Sequence, residues 1–374
     1  MKYIVWGCGK YGMWVQKKIE ECTEAKSVVA FADNNLSKVG HSIEGIPVIS
    51  IWKLLKDYNS CRVLIPGSYG EASIREISMQ LLERMDKNQI YIVPFNVLKS
   101  EKVHFLEDLL CPLENWTQID NLGIKLANHC NLNCIRCNNF SNISEENYYM
   151  IDELNNDLKQ LKSLISNICN IKLIGGEPLL NSNLTDCIKC VKKYYPHSKV
   201  IIVTNGLLIK NLTKEQISCI RDNNVKIAMT LYPILKTKID EIAIFLKNNE
   251  IEFSVYRSGD YFIPILNEEG KYHADDIKLQ NNKNKCVSFF KGDICRCTAG
   301  LNITAYNKKY NKSYPTDGIY NIYEDGMNGE KLMKALDEPF ELCRYCNGCF
   351  NINEKQFGKI WSLGKAHADD WLEE

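Results

Sequence analysis

Short apolar runs alternate with amphipathic stretches along the first 94 residues, and glycine or polar residues separate them. The apolar runs, which predict buried strands, are residues 2–6, 27–32, 62–66 and 90–94. A helix running towards residue 26 follows the first run, and a second helix is predicted over residues 71–85. This alternation predicts an α/β fold with a Rossmann-like domain at residues 1–112.

A glycine motif lies at the predicted turn between the first strand and its helix. Gly7, Gly9 and Gly12 fit the pattern G-x-G-x-x-G, and Asp33 ends the second strand about 20 residues later. In Rossmann domains such glycines let the backbone approach a pyrophosphate, and the carboxylate receives a ribose hydroxyl. The motif therefore predicts a nucleotide or nucleotide-sugar site. The alternative is a domain that binds nothing, in which the glycines serve only the turn and the packing of the helix.

Residues 118–275 show a second series of strands and helices. Its apolar runs are residues 124–126, 171–174, 200–203, 226–230 and 252–256. Several of these runs end in polar or glycine residues, as strands do at the active-site face of a parallel barrel. The pattern predicts a (β/α) barrel whose site lies at the C-terminal ends of the strands.

Charge and cysteine content restrict the function further. The chain has 46 basic and 46 acidic residues, and this balance argues against a nucleic-acid binder or a protein of the membrane surface. No apolar run suits a signal peptide or approaches the roughly 20 residues that span a bilayer, so we expect a cytoplasmic protein without a membrane partner. Seventeen cysteines, an odd number, then favour metal or redox chemistry over disulfides.

The densest group of cysteines opens the barrel segment. Cys130, Cys134 and Cys137 form a C-x₃-C-x₂-C run. Three soft thiolates on one loop can hold three irons of a [4Fe–4S] cluster and leave the fourth iron open to another ligand. The alternative is a zinc site, to which His129 could supply the fourth ligand.

The cysteine triplet and two later motifs together resemble the radical SAM superfamily over residues 118–275. The later motifs are Gly175-Gly176-Glu177-Pro178 and Thr204-Asn205-Gly206. The resemblance implies a partial (β/α)₆ TIM-type barrel and a cluster whose open iron binds S-adenosylmethionine (SAM). It also implies that the backbone of the Gly-Gly-Glu turn receives the methionine amino group, with Thr204 and Asn205 close to the same ligand. Reductive cleavage of SAM would then give a 5′-deoxyadenosyl radical that takes hydrogen from the substrate, with flavodoxin or ferredoxin as the reducing partner.

One position departs from the usual pattern of that superfamily. The residue before the third cysteine is commonly aromatic and lies beside the adenine, whereas this chain has Arg136. Arginine can stack on a ring through its planar guanidinium. Two interpretations stay open: Arg136 stacks on the adenine, or it faces solvent.

A second group of cysteines follows the barrel, in residues 276–374. It comprises Cys286, Cys295, Cys297, Cys343, Cys346 and Cys349. The arrangement resembles the SPASM or twitch auxiliary region of radical SAM enzymes. The shorter twitch pattern implies an auxiliary [4Fe–4S] cluster on Cys286, Cys297, Cys343 and Cys346. Cys295 and Cys349 are then extra thiols. Cys295 could replace Cys297 or donate a hydrogen atom, and Cys349 could replace a ligand or belong to a second cluster. A zinc site at Cys343, Cys346 and Cys349 is the alternative.

The first 95 residues also look like the N-terminal domain of PglD-type sugar acetyltransferases. The likeness rests on Trp6-Gly7-Cys8-Gly9, Phe31-Ala32-Asp33-Asn34-Asn35 and Gly45-Ile46-Pro47-Val48. It implies a nucleotide-sugar ligand. The predicted function is therefore radical SAM oxidation or epimerisation of a carbohydrate or nucleotide-sugar. The alternatives are modification of a ribosomally made peptide and a non-catalytic iron–sulfur or zinc scaffold.

Overall fold

The computed structural model describes residues 1–23, 27–94, 106–273, 287–347 and 358–373. The chain forms two compact units, one of Met1–Asp120 with Ile165–Cys169 and one of Asn121–Leu164 with Asn170–Glu374. Most of the predicted barrel segment and the cysteine-rich segment after it thus belong to a single unit. The division into three domains stays a prediction.

The first unit is a seven-stranded sheet with helices on both faces. Its elements are β1 Tyr3–Trp6, α1 Lys10–Cys22, β2 Val28–Ala32, β3 Ser42–Ile43, β4 Ile46–Ile49, α2 Ile51–Asp57, β5 Arg62–Pro66, α3 Glu71–Leu82, β6 Ile90–Val93 and β7 Cys111–Pro112. The strand order is β3-β4-β2-β1-β5-β6-β7, and β1 is parallel to both β2 and β5. The chain therefore reverses its direction across the sheet beside β1, where open α/β sheets commonly bind their ligands.

Burial on both faces explains why β1 is apolar at every position. Ile4 and Trp6 pack into one core cluster with α3, while Tyr3 and Val5 pack into another with α1. A central parallel strand covered on both sides needs such a continuous apolar run.

The second unit contains an eight-stranded sheet. Its elements are β8 Gln118–Ala127, α4 Ile151–Leu164, β9 Asn167–Gly175, α5 Leu184–Tyr194, β10 Lys199–Thr204, α6 Lys214–Asp222, β11 Lys226–Leu231, α7 Ile239–Asn248, β12 Phe253–Ser258, β13 Tyr261–Phe262, β14 Val287–Phe290, β15 Asp293–Cys295, α8 Thr298–Tyr310, β16 Ile319–Asn321, α9 Gly329–Asp337 and β17 Lys359–Ile360. The strand order is β12-β11-β10-β9-β8-β14-β15-β16, and β9 to β12 are parallel to one another. The α/β fold class is confirmed.

The sixth parallel strand of this sheet comes from an unexpected part of the chain. Strands β8 to β12 supply five strands from the predicted barrel segment, and β14, from the cysteine-rich segment, pairs in parallel with β8. Strands β15 and β16 then continue the sheet in antiparallel fashion. The auxiliary segment therefore extends the barrel sheet itself.

Alternation along the strands separates the helix-facing side of this sheet from its inner side. In β9, Ile171 and Leu173 are fully buried, whereas Lys172 and Ile174 line an internal cavity. The opposing helix α4 buries Leu154, Leu158 and Leu161, whose spacing puts them on one face. The inner side is thus left free for a site.

No helix in the described part of the chain is both long enough and apolar enough to cross a membrane.

Candidate active site

The three cysteines of the C-x₃-C-x₂-C run lie on the loop that follows β8. Cys130, Cys134 and Cys137 line a cavity of about 310 Å³. Residues after β9 and β10 line the same cavity, namely Gly176 and Asn205, together with the strand residues Gly175 and Thr204. The structure therefore brings the sequence-predicted thiols and turns together at the C-terminal ends of three neighbouring strands.

Only glycine fits at positions 175 and 176, because the turn after β9 lies directly against the backbone around the cysteine loop. A Cβ atom on Gly175 would lie 2.3 Å from the carbonyl oxygen of Ala127, and one on Gly176 would lie 2.0 Å from that of His129. The N–H groups of Gly176 and Glu177 donate to these two carbonyls at 2.9 and 3.1 Å. The ammonium group of a ligand needs hydrogen-bond acceptors. On this turn the acceptors are the backbone carbonyl oxygens.

The Glu177 carboxylate joins the ends of two strands. It is fully buried and accepts hydrogen bonds from the Thr204 hydroxyl at 2.7 Å and from the Asn205 backbone N–H at 2.9 Å. Burial raises the pKa of Glu177 to about 7, although these hydrogen bonds oppose the shift. Pro178 follows as the buried first residue of a short 3₁₀ turn, Pro178–Leu180. The Glu177 side chain positions the motif, a role that the sequence pattern did not indicate.

Asn205 connects the end of β10 to the cysteine loop. Its side-chain nitrogen donates to the Asn131 side-chain oxygen at 2.7 Å and lies 3.6 Å from the Cys130 sulfur. Its side-chain oxygen accepts from the Leu207 N–H at 3.0 Å. The side chain is therefore held beside the first predicted cluster ligand.

Buried polar atoms without partners concentrate around the cysteine loop. Nine such side-chain atoms occur in the described residues, and seven of them belong to Asn128, His129, Asn138, Asn139, Ser141 and Asn142. Buried polar groups are normally hydrogen-bonded, so a group of unpaired ones indicates a missing polar ligand. Asn138 and Asn139 also line the cavity. The unpaired polar atoms of this loop thus fit a polar ligand, such as SAM bound to an iron–sulfur cluster.

Two thiols of this loop, those of Cys130 and Cys134, are desolvated by burial. Burial raises the pKa of Cys130 and of Cys134 to about 12, so both are protonated near neutral pH until a metal displaces the proton. Within the described residues, no three His, Cys, Asp or Glu side chains converge on a point where one metal ion could bind. Zinc needs all its ligands in one tetrahedral shell, whereas cluster thiolates bind different irons. The cluster on Cys130, Cys134 and Cys137 and the zinc alternative with His129 both stay predictions.

Arg136 is largely buried and forms an ion pair, so it does not extend into solvent, and its stacking on adenine stays a prediction. Its backbone is left-handed, with φ of 65°, and its guanidinium lies 3.4 Å from the Asp370 carboxylate. Each of these side chains is less than one-fifth exposed. Arg136, which takes the position where the superfamily commonly has an aromatic residue, thus connects Asp370 to the cysteine loop. Sequence reasoning missed Asp370 because nothing in the spacing connects it to Arg136.

Three cysteines of the second group lie together at the start of α8. Cys297 is the N-cap of that helix and accepts from the Gly300 N–H at 3.1 Å. A hydrogen bond with Cys295 raises the pKa of Cys297, with burial and the nearby Cys343 acting in the same direction. A Cβ on Gly300 would lie 2.7 Å from the Cys295 sulfur. These three thiols, of which Cys295 and Cys343 are buried, fit a shared cluster.

The other members of the second group are placed differently. Cys346 is buried, and its N–H donates to the Cys343 carbonyl at 3.3 Å. Cys286 and Cys349 lie outside the described residues, so the predicted ligand Cys286 and the zinc alternative at Cys349 are not located. Cys295 is not among the described residues that line the barrel cavity. The structure thus groups Cys295 with the auxiliary thiols.

The predicted nucleotide site in the first unit shows three distinct uses of glycine. Gly7 has φ of +81°, and a Cβ on Gly12 would lie 1.8 Å from the Gly7 carbonyl oxygen, so these two serve the turn and the helix packing. A Cβ on Gly9 would meet nothing within 4 Å, which leaves its backbone open to approach. Asp33 accepts from the Cys8 N–H at 3.3 Å and forms an ion pair with Lys38 at 3.3 Å.

Comparison with known proteins gives one family match. Residues 124–238 match the family described as the 4Fe-4S single cluster domain. A GTP 3',8-cyclase of Clostridium perfringens (strain SM101 / Type A) is 33% identical over 103 residues, which are 26% of this chain and 31% of the relative. The chain therefore spans about a third of the length of that relative.

Two solved structures show a distant likeness. BtrN in complex with AdoMet and 2-DOIA is 18% identical with a TM-score of 0.39, over 65% of this chain and all of that one. The anSMEcpe protein with bound AdoMet and Cp18Cys peptide is 15% identical with a TM-score of 0.40, over 63% of this chain and 84% of that one. At such scores neither structure decides the function of this chain. The family match agrees with the prediction of a [4Fe–4S] cluster within residues 124–238.

Proposed function

We propose that this protein is a radical SAM enzyme that removes a hydrogen atom from a carbohydrate or nucleotide-sugar and oxidises it. The observation that carries the proposal is the single cavity bordered by Cys130, Cys134 and Cys137 and by the turns after β9 and β10. The cavity supports the proposal because the predicted cluster ligands and the predicted SAM contacts line the same space.

When bound, the cluster and SAM would supply the radical chemistry that removes a hydrogen atom from a substrate C–H bond: the reduced cluster would donate an electron and SAM would accept it. The residues of this chain bind and orient the participants. The three thiolates hold the cluster, and the carbonyl oxygens of the Gly175–Gly176 turn accept from the amino group of SAM. Hydrogen bonds hold that turn, the end of β10 and the cysteine loop together, and they are made by Glu177, Thr204 and Asn205.

The lining of the cavity supports a hydroxyl-rich substrate. Asn121, Thr230, Ser288 and Thr298 contribute neutral polar side chains, and Lys172 is the charged residue among the described lining. Amides and hydroxyls can both donate to and accept from sugar hydroxyls.

Oxidation is favoured over epimerisation by the place of Cys295. Epimerisation needs a thiol that returns a hydrogen atom to the substrate radical, and Cys295 packs beside Cys297 and not in the described cavity wall. Oxidation needs an acceptor for a second electron from the substrate, whose second proton would pass to solvent, and an auxiliary cluster, when bound, would supply that acceptor. Cys297 and Cys343 are proposed as ligands of that cluster.

The test is formation of 5′-deoxyadenosine by the anaerobically reconstituted and chemically reduced protein. SAM is supplied with UDP- or CDP-sugars, with free sugars or with peptides. We expect a nucleotide-sugar or sugar to stimulate 5′-deoxyadenosine formation, and the variant in which Cys130, Cys134 and Cys137 are alanine to form none. Stimulation by peptides alone would favour the peptide-modifying alternative. A protein that binds zinc, or never cleaves SAM, would favour the scaffold.

A further inference from the structure

The C-terminal strap, residues 358–373, lies along the cysteine loop as an added strand. Cys134 and Leu363 form an antiparallel bridge, which the Ile135 N–H extends by donating to the Ser362 carbonyl at 3.0 Å. Before Trp361 in the strap, β17 pairs with β13. Backbone pairings that precede and follow Trp361 in the sequence therefore hold the strap.

Trp361 of this strap makes a direct contact with a predicted cluster ligand. Its indole N–H donates to the Cys134 sulfur at 3.1 Å. The indole packs against Tyr232 with ring centroids 5.8 Å apart, and Tyr232 stacks on Phe262 at 6.1 Å. The backbone N–H of Trp361 donates to the Asp260 carbonyl at 2.7 Å. Ring and backbone are both held, so the direction of the indole N–H is set before any cofactor binds.

We infer that Trp361 is a positioning residue that raises the reduction potential of the SAM-binding cluster through its hydrogen bond to Cys134. The inference rests on the proposed function, in which Cys134 is a cluster ligand. Reduction adds negative charge that spreads onto the cluster sulfurs, and a hydrogen bond to a ligand sulfur stabilises this charge. The apolar surroundings of Cys134, which include Leu132 and Phe262, strengthen the effect because they screen it weakly.

The strap also supplies a matched control. The indole of Trp371 donates to the backbone carbonyl of Cys137 at 3.0 Å, so it holds the same loop without contacting a sulfur. Replacing either tryptophan by phenylalanine removes one indole N–H and keeps an aromatic ring. Only the loss at Trp361 removes a hydrogen bond to a ligand atom.

The experiment measures the midpoint potential of the cluster by redox titration with electron paramagnetic resonance. The full chain is used as wild type, Trp361→Phe and Trp371→Phe, each anaerobically reconstituted and analysed for iron. The signal followed is the one that changes when SAM is added, which separates this cluster from an auxiliary one. We expect a more negative midpoint potential for Trp361→Phe at unchanged iron content, and the wild-type potential for Trp371→Phe.

A wild-type potential in Trp361→Phe overturns the inference, as does an equal negative shift in both variants. If Trp361→Phe does not fold, 3-benzothienylalanine at position 361 keeps the bicyclic shape without the N–H, and the same shift is expected from it. A wild-type protein without any SAM-responsive signal contradicts the proposed function. A responsive wild type with an unshifted variant contradicts only the role of Trp361.

Discussion

The hydroxyl of Thr204 donates to the buried carboxylate of Glu177 at 2.7 Å and accepts from the Gly206 N–H at 3.0 Å. This one side chain therefore joins the turn after β9 to the turn after β10. Both turns border the cavity, so the geometry of the proposed SAM site depends on this buried contact.

Replacing Thr204 by valine is expected to loosen this connection. Valine has nearly the same shape and lacks the hydroxyl, so Glu177 loses a donor and Gly206 loses an acceptor within the protein interior. Such a loss costs about 1–3 kcal/mol of unfolding free energy. Chemical denaturation of the metal-free protein measures it, and SAM affinity of the reconstituted protein is expected to fall as well. Thr204→Ser keeps the hydroxyl and should stay near wild type; equal losses in both variants would contradict this account.

Glu177 should make the stability of the protein depend on pH. Its pKa is raised from 4.5 to about 7 in the folded state, mainly by burial. A folded-state pKa above the unfolded one gives stability that is complete at low pH and is lost as pH rises through about 7. The loss amounts to about 3 kcal/mol between pH ~4.5 and pH ~7.5.

The matching variant for this pH effect is Glu177→Gln, which cannot titrate. Unfolding free energies of wild type and variant are measured from pH ~5 to pH ~8. The advantage of the wild type over the variant should shrink as pH rises. A difference that stays constant, or that grows with pH, would show that the pKa of Glu177 is not raised.

Gly176→Ala tests how tightly the turn after β9 contacts the cysteine loop. The new Cβ would lie 2.0 Å from the His129 carbonyl oxygen, so backbone must move. We expect loss of SAM binding and a fall in stability of several kcal/mol, typical of overpacking against rigid backbone. Gly9→Ala is the control for stability because its Cβ meets nothing within 4 Å. Melting curves measure the stability of the variants, and equilibrium binding measures their affinity for SAM. A Gly176→Ala protein that melts and binds SAM like wild type would refute the contact.

The auxiliary site predicts a specific change in iron content. The reconstituted wild type should hold about eight irons per chain, and Cys297→Ala should hold about four, because one of two four-iron clusters is lost. The control is Cys219→Ala, since Cys219 is buried in α6 and its thiol donates to the Thr185 carbonyl at 3.7 Å. Iron analysis is the measurement. Retention of about eight irons by Cys297→Ala would remove Cys297 from the ligand set.

Local patterns in the sequence predicted the parts of the site that depend on short spacing. The C-x₃-C-x₂-C run and the turns after two strands are of this kind, since parallel strands end at one edge of a sheet. The contact of Trp361 with Cys134 joins residues 227 positions apart, so no local pattern could indicate it. The pairing of β14 with β8 is likewise a long-range contact, and its strand lies beyond the segment that the resemblance covers.

The first unit should bind a nucleotide through the open backbone at Gly9. The N-cap position of Gly9 is extended, at φ of −82°, so valine can adopt it, and its side chain would fill the space that a pyrophosphate needs. We expect the wild type to bind a UDP- or CDP-sugar or NAD, and Gly9→Val to bind it at least ~10-fold more weakly, a loss of about 1.4 kcal/mol. Isothermal titration calorimetry measures the affinity, and an unchanged melting temperature shows that the variant is folded.

Asp33→Asn provides the second test of that site. An Asn side chain keeps the shape and the acceptor oxygen but loses the charge that pairs with Lys38. If the carboxylate receives a ribose hydroxyl, affinity for the nucleotide should fall in this variant too, because a charged acceptor makes the stronger hydrogen bond. Absence of heat with every one of these ligands in the wild type would instead favour the alternative in which the glycines serve only the turn and the helix packing.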